Sequence, residues 1–320
     1  MPYGFRSTPD CDLVLARDLR ETGMYDPARA ATGPDALTRL RWGAYAPASA
    51  FDRLGLAEKH AMLVLAAAAT RKSPVVSGVS AAILHDLPLV AHTPDSVHLL
   101  APASSGRRRN GIIEVARWSS VHVVSGEPSV TALPDTLIEV CRTAPFLTAL
   151  TMVDHALRID RFGRRQPLIT IEALQETFER RMPFRGFARV QRVLSFAVTG
   201  AETPFETMSR VTIGELGFPE PLLQHPVVLP SGRIVYADFG WPEFGVLGEA
   251  DGWGKYIDPR YGTASLEERV RAEKQRDNAL RRLGWTPAHW EWDDAWQRDP
   301  LETILLDAGL RQVGRRRTWR

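Results

Sequence analysis

The chain has 320 residues, room for two or three domains at roughly 100–200 residues each. Hydrophobic residues make up 44% and charged residues 24%, which excludes wholesale disorder and allows sizeable buried cores. A net charge of +2 and a pI near 8.6 are too mild to identify a nucleic-acid partner, so local clustering of charge has to carry that question.

Residues 12–46 read as a small helical unit: Asp12–Thr22, Pro27–Thr32 and Pro34–Leu40 as short helices, then an extended arm from Trp42 to Tyr45. Three short helices and an arm suit a winged helix-turn-helix, although a plain helical cap has the same pattern. Leu54–Thr70 reads as one long helix and Val79–Leu84 as a shorter one. Strand-like segments follow at Ser96–Ala101, Ile112–Trp118 and Val121–Val124, with Gly106–Gly111 as a basic loop between the first two. Helices are expected from Thr136, over Phe146–Leu157, Ile171–Arg180 and Phe187–Val198, with Arg158–Gln166 a polar loop. The turn-like stretch from Thr199 to Pro204 introduces a last segment. Its order is a helix (Phe205–Leu216), three strands (Leu223–Leu229, Ile234–Phe239, Val246–Asp251), a helix (Leu266–Leu283) and a final strand (Thr286–Trp292). The expected fold is thus multidomain, α+β and α/β. A winged-helix-like DNA-binding unit covers 1–50, an α+β middle region 51–200, and a mixed sheet flanked by helices, with a basic tail, 201–320.

Two cysteines, Cys11 and Cys141, give neither a disulfide framework nor a cysteine zinc site, and fit a reducing, cytoplasmic compartment. The N-terminus lacks a signal pattern. The longest apolar run, Ala61–Ala69, falls far short of the roughly 20 residues a membrane span needs, so no membrane partner is expected. Arginine clusters at Arg107, Arg108 and Arg109, at Arg164 and Arg165, and along the tail at Arg311, Arg315, Arg316, Arg317 and Arg320. Their forked donors suit phosphate oxygens, yet solvated loops and a frayed terminus have the same composition.

The residues with chemistry to offer are Glu206, Asp238, Glu249, Asp251 and Lys255. Alternate residues of a strand share a face, so Tyr236 pairs with Asp238, and Leu247 with Glu249 and Asp251. A turn through Trp241 and Pro242 returns the chain and lets the acids converge at one end of the sheet. Carboxylates held together repel, and a divalent cation relieves that; oxygen ligands favour Mg²⁺ or Mn²⁺. Asp238, Glu249 and Asp251 are then the metal ligands, and Lys255 is in reach of a phosphate. The alternative is surface charge on an edge strand, or ion pairs with Arg233 and Arg260.

A run of residues here resembles a known family. It comprises Thr203-Pro204-Phe205-Glu206-Thr207-Met208-Ser209-Arg210, Leu216-Gly217-Phe218-Pro219, Asp238-Phe239-Gly240-Trp241-Pro242, Gly248-Glu249-Ala250-Asp251-Gly252, and Glu273-Lys274-Gln275-Arg276-Asp277. These are similar to actinobacterial proteins whose C-terminal domain is like the very-short-patch-repair endonucleases of the PD-(D/E)XK superfamily. The resemblance implies a first-helix acid at Glu206 and metal ligands at Asp238 and Glu249. It departs from the superfamily at its acid-x-Lys element, which reads Glu249-Ala250-Asp251; Lys255, four residues on, is the substitute. His289 occupies a place where related chains often carry Arg. Upstream, Arg41-Trp42-Gly43-Ala44-Tyr45 and Val76-Ser77-Gly78-Val79 with Leu84-His85-Asp86-Leu87-Pro88 resemble the wing and following helix of AbiEi-type antitoxin regulators. The wing around Arg39, Arg41 and Tyr45, the loop of Arg107, Arg108 and Arg109, and the Arg-rich tail are expected to supply the phosphate contacts to DNA.

Other signatures are missing. His85, His92, His98 and His122 lack metal-ligand spacing, and there is no nucleophile elbow and no phosphate-binding glycine loop. Two functions remain open. One is a Mg²⁺-dependent DNA endonuclease. The other is a non-catalytic regulator or antitoxin of a type IV toxin–antitoxin or phage-defence system, with a cognate toxin as partner and a degenerate nuclease domain.

Overall fold

The structure, a computed structural model, describes residues 9–21, 36–90, 94–160, 162–251 and 266–319. It is a multidomain mixed α/β protein. The chain divides into two compact units, Met1–Leu157 with Pro167–Ala197, and Arg158–Gln166 with Val198–Arg320.

The first unit holds two sheets. A small one, in the order β1-β3-β2, is built from β1 (Val14–Leu15), β2 (Leu37–Arg41) and β3 (Ala44–Pro47), with α1 (Ala16–Glu21) following β1. Asp12–Thr22 is therefore strand then helix rather than one helix, and the expected helix over 34–40 is mostly strand: Leu37–Arg41 pairs antiparallel with β3. The reason is the tight hairpin at Trp42-Gly43, where Gly43 takes φ +78°, a conformation glycine adopts without a Cβ penalty. The expected helix over 27–32 lies outside the described residues. Ala44, Leu15 and Ala66 form one buried cluster, and Ala46, Leu54 and Met62 another. They seat the small sheet on α3 (Leu56–Ala69), which follows α2 (Ala48–Arg53).

The second sheet is six-stranded, in the order β6-β7-β5-β4-β9-β8. Its strands are β4 (Val75–Val76), β5 (Val97–Leu100), β6 (Arg107–Arg109), β7 (Ile112–Val115), β8 (Val123–Val124) and β9 (Ser129–Thr131). The expected basic loop is an edge strand. Arg107–Arg109 pairs with β7, and the turn is Asn110-Gly111, both with positive φ. Asn-Gly is the dipeptide that a two-residue hairpin turn favours. Helices α4 (Gly78–Leu84), α5 (Leu133–Thr143), α6 (Phe146–Leu157), α7 (Ile171–Arg181) and α8 (Phe187–Phe196) complete the unit.

The second unit starts with α9 (Pro204–Glu215). Its sheet is β10 (Leu222–Val228), β11 (Ile234–Trp241), β12 (Val246–Ala250) and β13 (Thr286–Trp290), in that spatial order. β10–β11 and β11–β12 are antiparallel, whereas β12–β13 is parallel. Parallel neighbours need a crossover, supplied by α10 (Leu266–Arg282). Every residue of β12 is buried. Leu247 packs with Leu280 of α10, while the next residue, Gly248, lies beneath Trp290, whose indole N–H donates to Ser209 of α9 at 2.9 Å. Since adjacent strand residues face opposite ways, α9 and α10 cover opposite faces of the sheet.

The basic tail is folded back rather than frayed. Two helices not expected from the sequence, α11 (Trp292–Gln297) and α12 (Asp299–Asp307), precede it. Arg316 pairs with Glu302 and Asp299, the Arg317 N–H donates to the Glu215 carbonyl at 2.8 Å, and the Trp319 ring covers Gly214. Among the described residues no helix is long and apolar enough to cross a membrane.

A Cβ at position 248 would meet the Trp290 ring at 2.5 Å and the Phe239 Cβ at 3.1 Å. Gly248→Ala is therefore expected to destabilise the protein by about 1–3 kcal/mol, seen as a lower midpoint in urea denaturation.

Candidate functional site

Glu206 owes its position to the start of α9. Thr203 caps the helix, its hydroxyl oxygen accepting the Glu206 N–H at 3.2 Å, and Pro204 fits the first turn. The Glu206 carboxylate in return accepts from the Thr203 hydroxyl and the Glu202 N–H, each at 2.9 Å. Gln224 Nε2 of β10 donates to it at 2.9 Å. Burial, and then the negative charge of Asp238, push the Glu206 carboxyl up to about 7. Its hydrogen bonds to the ionised form pull the other way.

Asp238 departs from strand alternation. Ala237 packs with Leu247 on the α10 side, yet Phe239, two residues on, lies against Trp290 on the α9 side. The break falls at Asp238, beside Gln224 with its φ of +50°. Regular alternation along β11 is thus interrupted between Ala237 and Phe239. Asp238 Oδ2 accepts the Ala250 N–H at 2.9 Å, just past the last described β11–β12 pair, Phe239 with Gly248. Irregularities of this kind re-aim side chains at strand ends.

Glu249 and Asp251 follow the alternation and lie on the α10 side with Leu247. Glu249 accepts from Arg276 at 2.6 Å, and the same guanidinium nitrogen reaches the Tyr236 carbonyl at 2.6 Å. Asp251 continues the ladder, its N–H donating to the Trp290 carbonyl at 2.9 Å. Its carboxylate lies 2.7 Å from His289 Nδ1. That ring also has Glu273 at 3.8 Å from Nδ1 and Asp277 at 3.1 Å from Nε2. Ligand atoms of Asp251, Glu273 and His289 lie within 4.8 Å of one another, the grouping of that kind found among the described residues. The expected trio of Asp238, Glu249 and Asp251 does not close up to that extent: Asp251 turns to His289, and Glu249 to Arg276. Lys255 lies outside the described residues.

Sequence reasoning missed Glu273, Arg276 and Asp277 as site residues and gave His289 no role. A signal existed. Glu273 and Asp277, four apart, occupy one helix face, and a helix crossing between parallel neighbours must lay one face on the sheet.

Of the expected DNA contacts, Arg39 is exposed and pairs across the hairpin with Tyr45, so both lie on one face. Trp42 at the tip is 84% exposed. Burial, then the charge of Arg71, lower the Arg41 guanidinium. Arg107 is held by Glu114 at 2.7 Å, and Arg108 by Asp95 at 2.9 Å.

Two proteins of Mycobacterium tuberculosis, from strains CDC 1551 / Oshkosh and ATCC 25618 / H37Rv, are similar to this chain. Each is 29% identical over 206 residues, covering 64% of this chain and 70% of the relative, and each is described as uncharacterized. No family profile matches the chain, and no solved structure does.

The Asp251 hydrogen bond raises His289 to about 9 against the burial that lowers it, with the charges of Asp251, Asp277 and Glu249 adding to the rise. A raised pKa in the folded state stabilises the fold below the unfolded value of 6.5, and that contribution is lost as pH rises through about 9. In EDTA, above the Glu206 value of about 7 and up to about 9, the wild-type unfolding free energy is therefore expected to fall, and the His289→Gln variant to fall less. Equal pH dependence of the two in urea titrations is the contrary result.

Proposed function

We propose that the protein is a DNA-binding, metal-dependent endonuclease that hydrolyses phosphodiester bonds. One observation carries the reading: a buried Glu206, oriented by Thr203, the Glu202 N–H and Gln224, has the charge of Asp238 bearing on it, which adds to burial in raising its carboxyl. Carboxylates in that relation are what a divalent cation relieves. The β-strand and helix order of the second unit supports the likeness to PD-(D/E)XK nucleases.

Mg²⁺ or Mn²⁺ would be held by Asp238 and Glu249, while Asp251 is turned to His289. Asp238 keeps one oxygen on the Ala250 N–H, and Glu249 one on Arg276, so each enters such a site already oriented. The ion would supply Lewis acidity to a phosphoryl oxygen and lower the pKa of a water. Glu206, with a pKa of about 7, can take or give a proton at neutral pH. Arg276 offers a fixed guanidinium to a phosphate, a role expected of Lys255. In the first unit, the Trp42-Gly43 hairpin with Arg39, Arg41 and Tyr45 supports a wing that lies along DNA.

A non-catalytic regulator or antitoxin is the second reading. The Glu249–Arg276 ion pair favours it, because the chain's own cation then sits on an expected metal ligand.

Plasmid nicking with Mg²⁺ or Mn²⁺ decides between them. Asp238→Asn, which keeps an oxygen for the Ala250 N–H, is expected to lower nicking by at least about 100-fold with an unchanged melting curve. A wild-type protein that cleaves no DNA form with either ion favours the regulator. A mutant as active as wild type removes Asp238 from the site.

For the wing, Arg39→Ala is expected to flatten the log–log salt slope of duplex binding by roughly 0.9, one phosphate contact. Neutralising Arg107, Arg108 and Arg109 together is expected to change it by less than the roughly 2.7 of three contacts, since two are engaged by acids. Fluorescence anisotropy across a salt series reads both; a wild-type slope in Arg39→Ala removes the wing from the interface.

A further inference from the structure

We infer that Asp251, Glu273 and His289 form a binding site for a divalent transition-metal ion of the Zn²⁺ or Mn²⁺ kind, distinct from the Asp238–Glu249 pair. Three elements supply the donors. Asp251 directly follows β12, His289 lies on the parallel neighbour β13, and Glu273 comes from the crossover helix α10. Their convergence follows from the topology and does not depend on a flexible loop.

The imidazole is oriented as a ligand would be. Its Nε2 lies 3.1 Å from Asp277, and its Nδ1 faces Asp251 at 2.7 Å and Glu273 at 3.8 Å. An outer carboxylate that accepts from one ring nitrogen fixes the tautomer and leaves the other as the donor, the recurrent arrangement around metal-bound histidine. Asp277 holds that outer place, and Arg281 in turn lies 3.5 Å from Asp277. Two donors bound to one ion at about 2.0–2.1 Å stand about 2.9–3.4 Å apart at octahedral or tetrahedral angles. The distances of 2.7 and 3.8 Å from the imidazole nitrogen bracket that span, and all three ligand atoms lie within 4.8 Å of one another, so closing on an ion needs only side-chain adjustment.

The donor set selects the ion. Ca²⁺ takes six to eight oxygens, and Mg²⁺ keeps oxygen ligands and water, whereas imidazole with carboxylate suits Zn²⁺ and Mn²⁺. Two ligating carboxylates balance the charge of one divalent ion. All three side chains are part-exposed, which gives an ion a route in and leaves room for water as a fourth ligand.

The inference does not need the nuclease reading, because binding is measured without DNA. Isothermal titration of the full chain, freed of metal by chelation, with ZnCl₂ and separately MnCl₂ and MgCl₂ is the test. One equivalent of Zn²⁺ is expected, bound more tightly than Mn²⁺, with Mg²⁺ weakest. His289→Gln and Glu273→Gln are each expected to weaken Zn²⁺ by at least tenfold, and Asp277→Asn by roughly 10–100-fold. Circular dichroism melts check folding; Glu273→Gln, at a part-exposed helix position, serves if the histidine variant fails to fold. Asp238→Asn is expected to keep wild-type Zn²⁺ affinity whatever it does to cleavage, so failure of the nuclease reading leaves this result readable. No binding of Zn²⁺, wild-type affinity in both the His289 and Glu273 variants, or, in the Asp238→Asn background, Mg²⁺ binding as tight as Zn²⁺ overturns the site.

Discussion

The parallel pairing of β12 with β13 is the constraint on which the second unit depends. Antiparallel partners can be joined by a turn, but parallel ones require the chain to travel the length of the sheet and return. Here the return is α10, which is laid on the face that carries Leu247, Glu249 and Asp251. Leu280 closes the apolar part of that face, and Arg276, Asp277 and Glu273 meet the polar part. A single topological requirement therefore produces both the core of the unit and the polar cluster at its end. Because β12 is buried along its whole length, the carboxylate of Glu249 is largely shielded from bulk water, and Arg276 supplies the matching charge.

Much of this was legible in the sequence. The order of elements in the second unit follows from hydrophobic runs bounded by Gly217, Gly245 and Gly284. The convergence of Glu249 and Asp251 on the face of Leu247 follows from strand alternation. What alternation does not convey is its own interruption. Asp238 sits at an irregularity set by the opposite strand, where Gln224 takes a positive φ, and no local pattern around Asp238 announces that. Ion pairs were equally hidden. The partner of Glu249 is 27 residues downstream on another element, and only the three-dimensional crossing selects Arg276 over its charged neighbours.

The first unit shows the same division. The long helix α3 and the helix α6 were readable from apolar content. Leu37–Arg41 was not, because its residues suit either state until the Trp42-Gly43 turn and the pairing with β3 decide the matter. The three consecutive arginines teach a related point. As a run they look like a phosphate-binding loop, but in an edge strand successive side chains alternate in direction, and nearby acids take two of them. Charge on an edge strand also discourages unwanted pairing with other chains, which gives that basic stretch a use even without a nucleic acid.

The latch at the end of the described chain ties two distant positions together. Trp319 covers Gly214 so closely that a Cβ there would stand 2.5 Å from the ring, while Arg317 is bonded to the next residue, Glu215. Helix α9 is consequently gripped at its C-terminal end by the tail and at its N-terminal end by the Thr203–Glu206 cap. It is held by contacts at both ends, and Glu206 sits at the capped one. Among related sequences, glycine at 214 and an aromatic ring at 319 should be kept or lost as a pair, since a side chain at the first leaves no room for the second.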